Sequence, residues 1–461
     1  TDWSDLMSEI IWDSALIQKY NQSGPRYTSY PTALEFNENY TEQDFEAAVK
    51  RYPNRPLSLY VHIPFCHQLC YFCACNKVIT RHQHKADIYL DYLEKEISAR
   101  SALFKHRLVT QIHWGGGTPT YLSETQSARL MAMLKKHFTV SETAEISIEI
   151  DPRRIELSML DHLRHLGFNR MSMGVQDFNK DVQKAVNREQ DEDFIHALLD
   201  HARELGFQST NLDLIYGLPL QTVESFMFTL EKVIALNPDR LSVFNYAHLP
   251  SRVPGQAKIK EYQLPAPETK LTILQKTIET LGNAGYKFIG MDHFAKPHDE
   301  LAIAQDQGVL HRNFQGYTTQ EECDLLGLGV SSISLLGDTY AQNEKDLKRY
   351  YALIEEQGNA LHKGLALTQE DCLRRDVIKQ LICNFKLDFS PFEAQYNIQF
   401  TTHFAEDLAL LKPLIDDELI KLTHTGLQVS PKGRLLIRNI CLCFDTYSRE
   451  AAKRQQFSRI I

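Results

Sequence analysis

"LSLYVHIPFCHQLCYFCACN", residues 57–76, passes from a strand-like stretch directly into four cysteines. Tyr60, Val61 and Ile63 make the first eight residues a good strand. Cys66, Cys70, Cys73 and Cys75 then follow, separated by three, two and one residues. Structural zinc wants four ligands as two spaced pairs, and a second pair is hard to nominate. Cys441 and Cys443 lie on an apolar helical stretch and read as buried core thiols, as do Cys323, Cys372 and Cys383. Soft thiolates in one tight run suit an iron–sulfur cube, whose corners are close together. Three ligands leave one iron open, which a structural site avoids and a catalytic one needs. Cys75 is one residue from Cys73, which argues for a packed thiol that is not a ligand.

Outward from this loop, β-rich and amphipathic helical stretches alternate. Strand candidates begin at Leu57, Gln111 ("QIHWGGGTP"), Glu145 ("EISIEIDP"), Arg170 ("RMSMGVQ"), Ser209 ("STNLDLIYGLP"), Arg240 ("RLSVFNYAHLP") and Tyr286 ("YKFIGMDHFA"). Between them, Tyr89, Leu90, Leu93 and Ile97 form one apolar helix face. Leu130, Met131, Leu134 and Phe138 form another, behind a capping box at Ser123 and Gln126. Repeated βα units imply a parallel sheet, and the polar residues gathered at the strand ends favour a partial or complete α/β barrel with one shared mouth. Residues 1–50 read as a helical and extended N-terminal segment, 51–364 as the barrel and 365–461 as a smaller, mainly helical domain. Within the last, "LIDDELIKLTHTGLQVSPKGRLLIRNI" reads as helix, hairpin, helix. "SGPRYTSYPTALEF", residues 23–36, should be extended, as a tail that contacts the barrel mouth or, the favoured reading, as a surface linker.

Fifty basic and 59 acidic side chains give the 461-residue chain a net charge of −9, with no basic run to form a nucleic-acid surface. The acidic start shows no secretory signal, and no apolar run approaches the ~20 residues of a membrane span. Clustered, odd-numbered cysteines fit a reducing compartment, so a cytoplasmic protein is expected.

The spacing Cys66-x3-Cys70-x2-Cys73 resembles the signature of the radical S-adenosylmethionine (SAM) superfamily, and "GGGTP" at residues 115–119 resembles its glycine-rich SAM-binding segment. With "RYTSYPTA", "SMGVQDFN", "LIYGLP", "SVFNYAHLP", "GMDHFA" and "HRNFQGYTT", the resemblance narrows to the oxygen-independent coproporphyrinogen III oxidase family, over nearly the whole chain. Ala74 departs from it, where the family pattern leads one to expect Gly. The resemblance implies a three-quarter βα barrel with a helical C-terminal domain. It also implies one 4Fe–4S cluster on Cys66, Cys70 and Cys73, with an exchangeable SAM on the fourth iron, and two SAM molecules in all. The first SAM would touch Tyr60, Gly116 and Glu149. The second would lie near Phe72, Gly117, Thr118, Gln176, Arg188, Asp213, Ala247 and Ile333, with Phe244 and Tyr246 nearby.

The implied reaction converts two propionates of coproporphyrinogen III to vinyl groups through a 5′-deoxyadenosyl radical, giving protoporphyrinogen IX in haem synthesis. It requires a one-electron donor and a terminal electron acceptor that the sequence does not name. A tetracarboxylate bound by an acidic chain needs local cations, for which Arg26, His293, Lys296, His311 and Arg312 are candidates. A monomer is expected. The competing readings are a haem-binding chaperone related to this superfamily and a zinc scaffold.

Overall fold

A computed structural model describes residues 9–320, 323–450, 454, 456–459 and 461. Residues 1–8, the first part of the stretch in which no signal is expected, lie outside the described residues. The chain divides into two compact units, one from 36–269 and 322–366, the other from 1–35, 270–321 and 367–461.

The first unit carries strands β1 (Leu57–Ile63), β2 (Leu108–Gly116), β3 (Thr139–Ile150), β4 (Arg170–Gln176), β5 (Ser209–Tyr216), β6 (Arg240–Asn245), β7 (Asp324–Leu328), β8 (Ile333–Leu336), β9 (Thr339–Asn343) and β10 (Leu361–Ala366). They lie side by side in the order β10-β9-β8-β7-β1-β2-β3-β4-β5-β6. From β7 through β1 to β6 every pairing is parallel, whereas β7 to β10 pair antiparallel. Helices His84–Ser101, Glu124–His137, Leu157–Leu166, Glu192–Glu204 and Val223–Leu236 fill the successive crossovers from β1 to β6. Sequential strands as neighbours, each followed by a helix, make the expected partial βα barrel.

Alternation along the strands explains how it packs. On β1, Leu57, Leu59, Val61 and Ile63 are completely buried. They share one face, and each adds about 1.5–3 kcal/mol of burial free energy. Tyr89, Leu90, Leu93 and Ile97 are also fully buried, and Leu130, Met131, Leu134 and Phe138 nearly so. The Ser123–Gln126 capping box forms. The other face of the sheet is polar, which is unusual for parallel strands. In register across it lie Tyr60, His113 and Ser147, then Glu149, Ser172 and Asn211, then Asp213 and Ser242. Ser58 donates to Gln111 Oε1 at 2.8 Å within that face.

The second unit is mainly helical. Its longest helices are Pro267–Asn283, which begins just before the unit boundary, and Gln369–Asn384. A three-stranded antiparallel sheet sets Lys386–Asp388 beside Gly426–Val429 beside Ile420–Leu422. Ile420–Leu422 and Gly426–Val429 are the expected hairpin, between helices Lys412–Asp416 and Ile437–Leu442. "YKFIGMDHFA" is not one strand. Gly290 and Met291 take positive φ, of 154° and 54°, and fold it into the antiparallel pair Lys287–Gly290 and His293–Ala295. Residues 23–36 are not an exposed linker either, because their aromatic rings have apolar area to bury. Tyr27 and Tyr30 are buried, with Tyr27 donating to Asp445 Oδ2 at 2.8 Å. Cys383 and Cys441 are core thiols as expected, but Cys323, Cys372 and Cys443 are only half-buried. Among the described residues, no helix is long and apolar enough to cross a membrane.

Candidate functional site

The cysteine loop begins where β1 ends. Phe65–Cys66 pairs in parallel with Val78–Ile79, and Val78 N–H donates to Pro64 O at 2.7 Å, closing the loop at its base. Further along, Tyr71 N–H donates to Val186 O at 3.0 Å and Asn187 Nδ2 to Leu69 O at 2.7 Å. Phe72 packs on an apolar cluster that includes Val186, Tyr246 and Ile259. Gln256 Nε2 donates to Phe72 O at 3.1 Å and Ala247 O at 3.2 Å. Phe72, Tyr246 and Ala247, far apart in sequence, are thereby brought together.

The sulfurs differ in their surroundings. Thr118 Oγ1 donates to Cys66 Sγ at 3.2 Å, while burial pushes that thiol up to about 11. Cys70 Sγ accepts from Arg153 Nη2 at 3.3 Å and Arg188 Nη1 at 3.4 Å. Asp151 lies 2.6 Å from Arg153 and 3.7 Å from Arg188. Burial opposes ionisation of Asp151, but Arg188 and Arg153 together hold its carboxyl well below the usual range. Cys73 and Cys75 hydrogen-bond to each other, which lowers Cys73 and raises Cys75.

The end of β2 lies against this loop. Gly116 has φ +121°, and a Cβ there would fall 2.8 Å from Ile63 O. A Cβ on Gly117 would fall 2.6 Å from Pro64 O and 3.0 Å from Cys66 Sγ, so only glycine permits this approach. A cradle beside a thiol, and three soft donors on one short loop, fit an iron–sulfur cube. Among the described residues, no three His, Cys, Asp or Glu side chains converge on a single metal ion.

Beside the bend, Gly116 N–H donates to Glu149 Oε2 at 3.3 Å, and His113 Nε2 lies 3.4 Å from Glu149 Oε1. Tyr60 stacks on His113 at 6.0 Å, and its hydroxyl is 3.0 Å from His62 Nδ1. Tyr60, Gly116 and Glu149 thus form one group. On β4, Gln176 takes φ +67°, and Arg188 Nη2 donates to Gly174 O at 2.5 Å. A Cβ on Gly174 would meet both Gln176 Nε2, at 2.7 Å, and Arg188 Nη2, at 3.0 Å. Asp213 accepts from Asn211 Nδ2 at 2.8 Å and Ser172 Oγ at 3.2 Å, while burial pushes its carboxyl up to about 6. Phe244 sits on β6 opposite Ile215, and Ile333 opens β8 opposite Gln342.

The substrate candidates belong to the second unit. Arg26 pairs with Asp292, and Arg312 Nη1 donates to Arg26 O at 2.5 Å. The Tyr317 ring joins Arg312, at 5.4 Å, to the edge-on ring of His293, at 5.2 Å. Lys296 Nζ lies 4.2 Å from the Tyr286 ring. Burial pushes His311 down to about 4, so near neutrality it is an uncharged hydrogen-bonding group and not a cation.

Sequence reasoning missed Asp151, Arg153, His62 and His113. For Asp151 and Arg153 a signal existed, since "DPRR" directly follows the end of β3, where barrel strands present functional groups.

Residues 60–233 match the radical SAM superfamily, and residues 367–436 match the HemN C-terminal domain. The chain is 67% identical over 455 residues to the oxygen-independent coproporphyrinogen III oxidase of Escherichia coli, covering 99% of this chain and 100% of the relative. It is 50% identical over 461 residues to the enzyme of that name from Pseudomonas aeruginosa, covering 99% and 100%. A solved structure of coproporphyrinogen III oxidase (HemN) from Escherichia coli, described as a radical SAM enzyme, aligns with a TM-score of 0.93 at 66% identity. The alignment covers 95% of this chain and 100% of that one.

Proposed function

We propose that this chain, which belongs to the oxygen-independent coproporphyrinogen III oxidase family, converts two propionate side chains of coproporphyrinogen III to vinyl groups without oxygen, giving protoporphyrinogen IX in haem synthesis. It is a radical SAM oxidoreductase, and enzymes of that superfamily use a 4Fe–4S cluster and SAM. When bound, these supply a 5′-deoxyadenosyl radical, able to take a propionate β-hydrogen that no side-chain base working near neutrality removes.

Cys66, Cys70 and Cys73 would hold the cluster, leaving one iron open for SAM. Cys75, a single residue beyond Cys73, stays outside the ligand set. The single observation that carries this reading is the glycine bend, which lays the end of β2 within a methyl group's reach of Cys66 Sγ. Arg153 and Arg188 stabilise negative charge on the Cys70 sulfur. Asp151 fixes both guanidiniums in place.

Two SAM molecules are bound. Tyr60, Gly116 and Glu149 take the first, with the Glu149 carboxylate accepting from its ammonium or ribose hydroxyls. Gly117, Thr118, Gln176, Arg188, Asp213, Ala247 and Ile333 take the second, with Phe72, Phe244 and Tyr246 walling the site from water. Arg26, His293, Lys296 and Arg312 meet the substrate carboxylates, and His311 assists as a neutral hydrogen-bonding group. Residues 51–364 carry the radical chemistry, with 1–50 and 365–461 as flanking segments. The protein works as a cytoplasmic monomer with a separate one-electron donor and a terminal acceptor.

The test is anaerobic incubation of reconstituted protein with SAM, reductant and coproporphyrinogen III, followed by chromatography of the porphyrins. Divinyl product is expected. Tight haem binding without turnover would favour a chaperone, and zinc without inorganic sulfide would favour a structural site.

A further inference from the structure

Arg438, on the helix Ile437–Leu442 of the second unit, is a charged group kept from water, at 2% exposure. Its Nε donates to Pro25 O at 2.8 Å, its Nη1 to Arg459 O at 3.0 Å, and its Nη2 to Gly24 O and, at 3.5 Å, to Ser458 O. One guanidinium thus clasps two segments far apart in sequence. Those segments also meet each other: Ser23 bridges Arg459 in antiparallel fashion, and Gly24 N–H donates to Ser458 O at 3.1 Å. Burial, with Arg26 and Arg312 close by, pushes the Arg438 guanidinium down to about 9, so it stays charged near neutrality.

What the clasp holds is the backbone that leads into Arg26. The carbonyl before that residue, Pro25 O, rests on Arg438, and the carbonyl of Arg26 itself rests on Arg312 at 2.5 Å. The next residue, Tyr27, takes φ +50°, uncommon for a bulky side chain, and its hydroxyl is tied to Asp445 at 2.8 Å. Such a conformation persists only where its surroundings over-determine it. The Arg26 side chain that emerges from this clasp is 35% exposed and pairs with Asp292.

We infer that Arg438 is a positioning residue for substrate recognition: by clasping residues 24–25 against 458–459 it sets where the Arg26 guanidinium meets a substrate carboxylate. The inference rests on the reading that Arg26 binds such a carboxylate. For stability alone a buried cation is a poor choice, since well-packed apolar side chains often serve as well or better. Its use here is geometric. A planar fork orders four carbonyls at once, as the compact charge of a lysine cannot. Buried as it is, Arg438 acts through Arg26 and not by touching the substrate.

The test compares steady-state turnover of coproporphyrinogen III by reconstituted wild type, Arg438→Lys, Tyr27→Phe, Arg26→Ala and the double variant Arg438→Lys/Arg26→Ala. Arg438→Lys should raise KM roughly fivefold and change kcat by less than about twofold, with wild-type iron and sulfide. Tyr27→Phe, which loosens the other side of Arg26 and leaves Arg438 in place, should raise KM by about twofold in the same way. Arg26→Ala should raise KM most, and adding Arg438→Lys to it should raise it no further, because the clasp then has no guanidinium to position. Effects that multiply in the double variant would mark a general structural role and overturn the proposal. So would an unchanged KM in a folded Arg438→Lys protein, or a fall in kcat with KM unmoved. If Arg438→Lys does not fold, Tyr27→Phe alone and combined with Arg26→Ala carries the same comparison. An Arg26→Ala protein with the wild-type KM would instead remove the reading beneath the proposal.

Discussion

The cysteine loop and the turn at residues 329–332 are both tied to the helix His84–Ser101, but by opposite means. Tyr89 serves both, donating to His62 O at 2.7 Å just before the loop and accepting from Val330 N–H at 3.0 Å in the turn. The turn is then secured by a completely buried carboxylate. Glu96 accepts from Gly329 N–H and Asn343 Nδ2, each at 2.6 Å, and from Tyr350 O–H at 2.9 Å. Nothing in that network waits for a ligand. The loop is closed at its base by backbone bonds, but its sulfurs hold only long contacts to a hydroxyl and two guanidiniums, and one thiol leans on its neighbour. A region saturated by its own hydrogen bonds is fixed by folding, and one that leaves strong donors underused is completed by what it binds. The turn leads straight into Ile333, so the saturated region serves as the fixed reference against which the ligand-dependent one is set.

The largest expected effect separates the two regions outright. Cys70→Ser should abolish both turnover and the cluster, with iron falling to background, while urea unfolding of the metal-free protein stays within about 1 kcal/mol of metal-free wild type. A comparable loss of metal-free stability would mean that the loop, like the turn, is fixed by folding.

Glu96→Ala should do the reverse. Stranding three buried donors should cost about 3 kcal/mol in urea unfolding of the metal-free protein. Glu96→Gln should cost less and should change the pH dependence. Burial raises the Glu96 pKa above its ordinary value, although Gly329, Arg100, Asn343 and Tyr350 pull against that. The folded state therefore holds a proton that the unfolded chain has released. The resulting stability is full below the ordinary glutamate pKa and is lost as pH rises through the folded value, a loss that Gln should remove. Tyr89→Phe, which cuts the link between the regions, should cost about 1–2 kcal/mol by the same measurement.

The last effect, seen only as a pH dependence, is at Asp213. Its carboxyl is raised from 3.8 to about 6, mainly by burial. The folded state keeps a proton across that window, so this group's contribution to stability declines between about pH 4 and pH 6. In thermal melts at stepped pH, Asp213→Asn should flatten the decline.

Much of this was legible in the sequence. The cysteine spacing, the glycine run and the polar strand ends located the mouth of the barrel, because strand alternation and βα repetition are local patterns. The alternation on β1 even separates Leu57, Leu59, Val61 and Ile63 from Ser58, Tyr60 and His62. Three things were not legible. Glu96 reads as one more charge on an amphipathic helix, and only the fold brings Gly329, Asn343 and Tyr350 to it. Arg153 looks like a surface arginine until β3 delivers it to Cys70. Residues 23–36, with their two prolines, read as a linker because turn residues dominate their composition, yet Tyr27 and Tyr30 find partners at Asp445 and Thr446, more than 400 positions away.

The central claim is that three thiolates grip a cube and leave its last iron to SAM. It is tested most directly by anaerobic iron and sulfide analysis of wild type and Cys75→Ser, with electron paramagnetic resonance of the reduced proteins before and after SAM is added. The account predicts about four irons and four sulfides per chain in both proteins, and a signal that shifts on SAM addition in both. A Cys75→Ser protein without a cluster, or a wild-type signal indifferent to SAM, would contradict it.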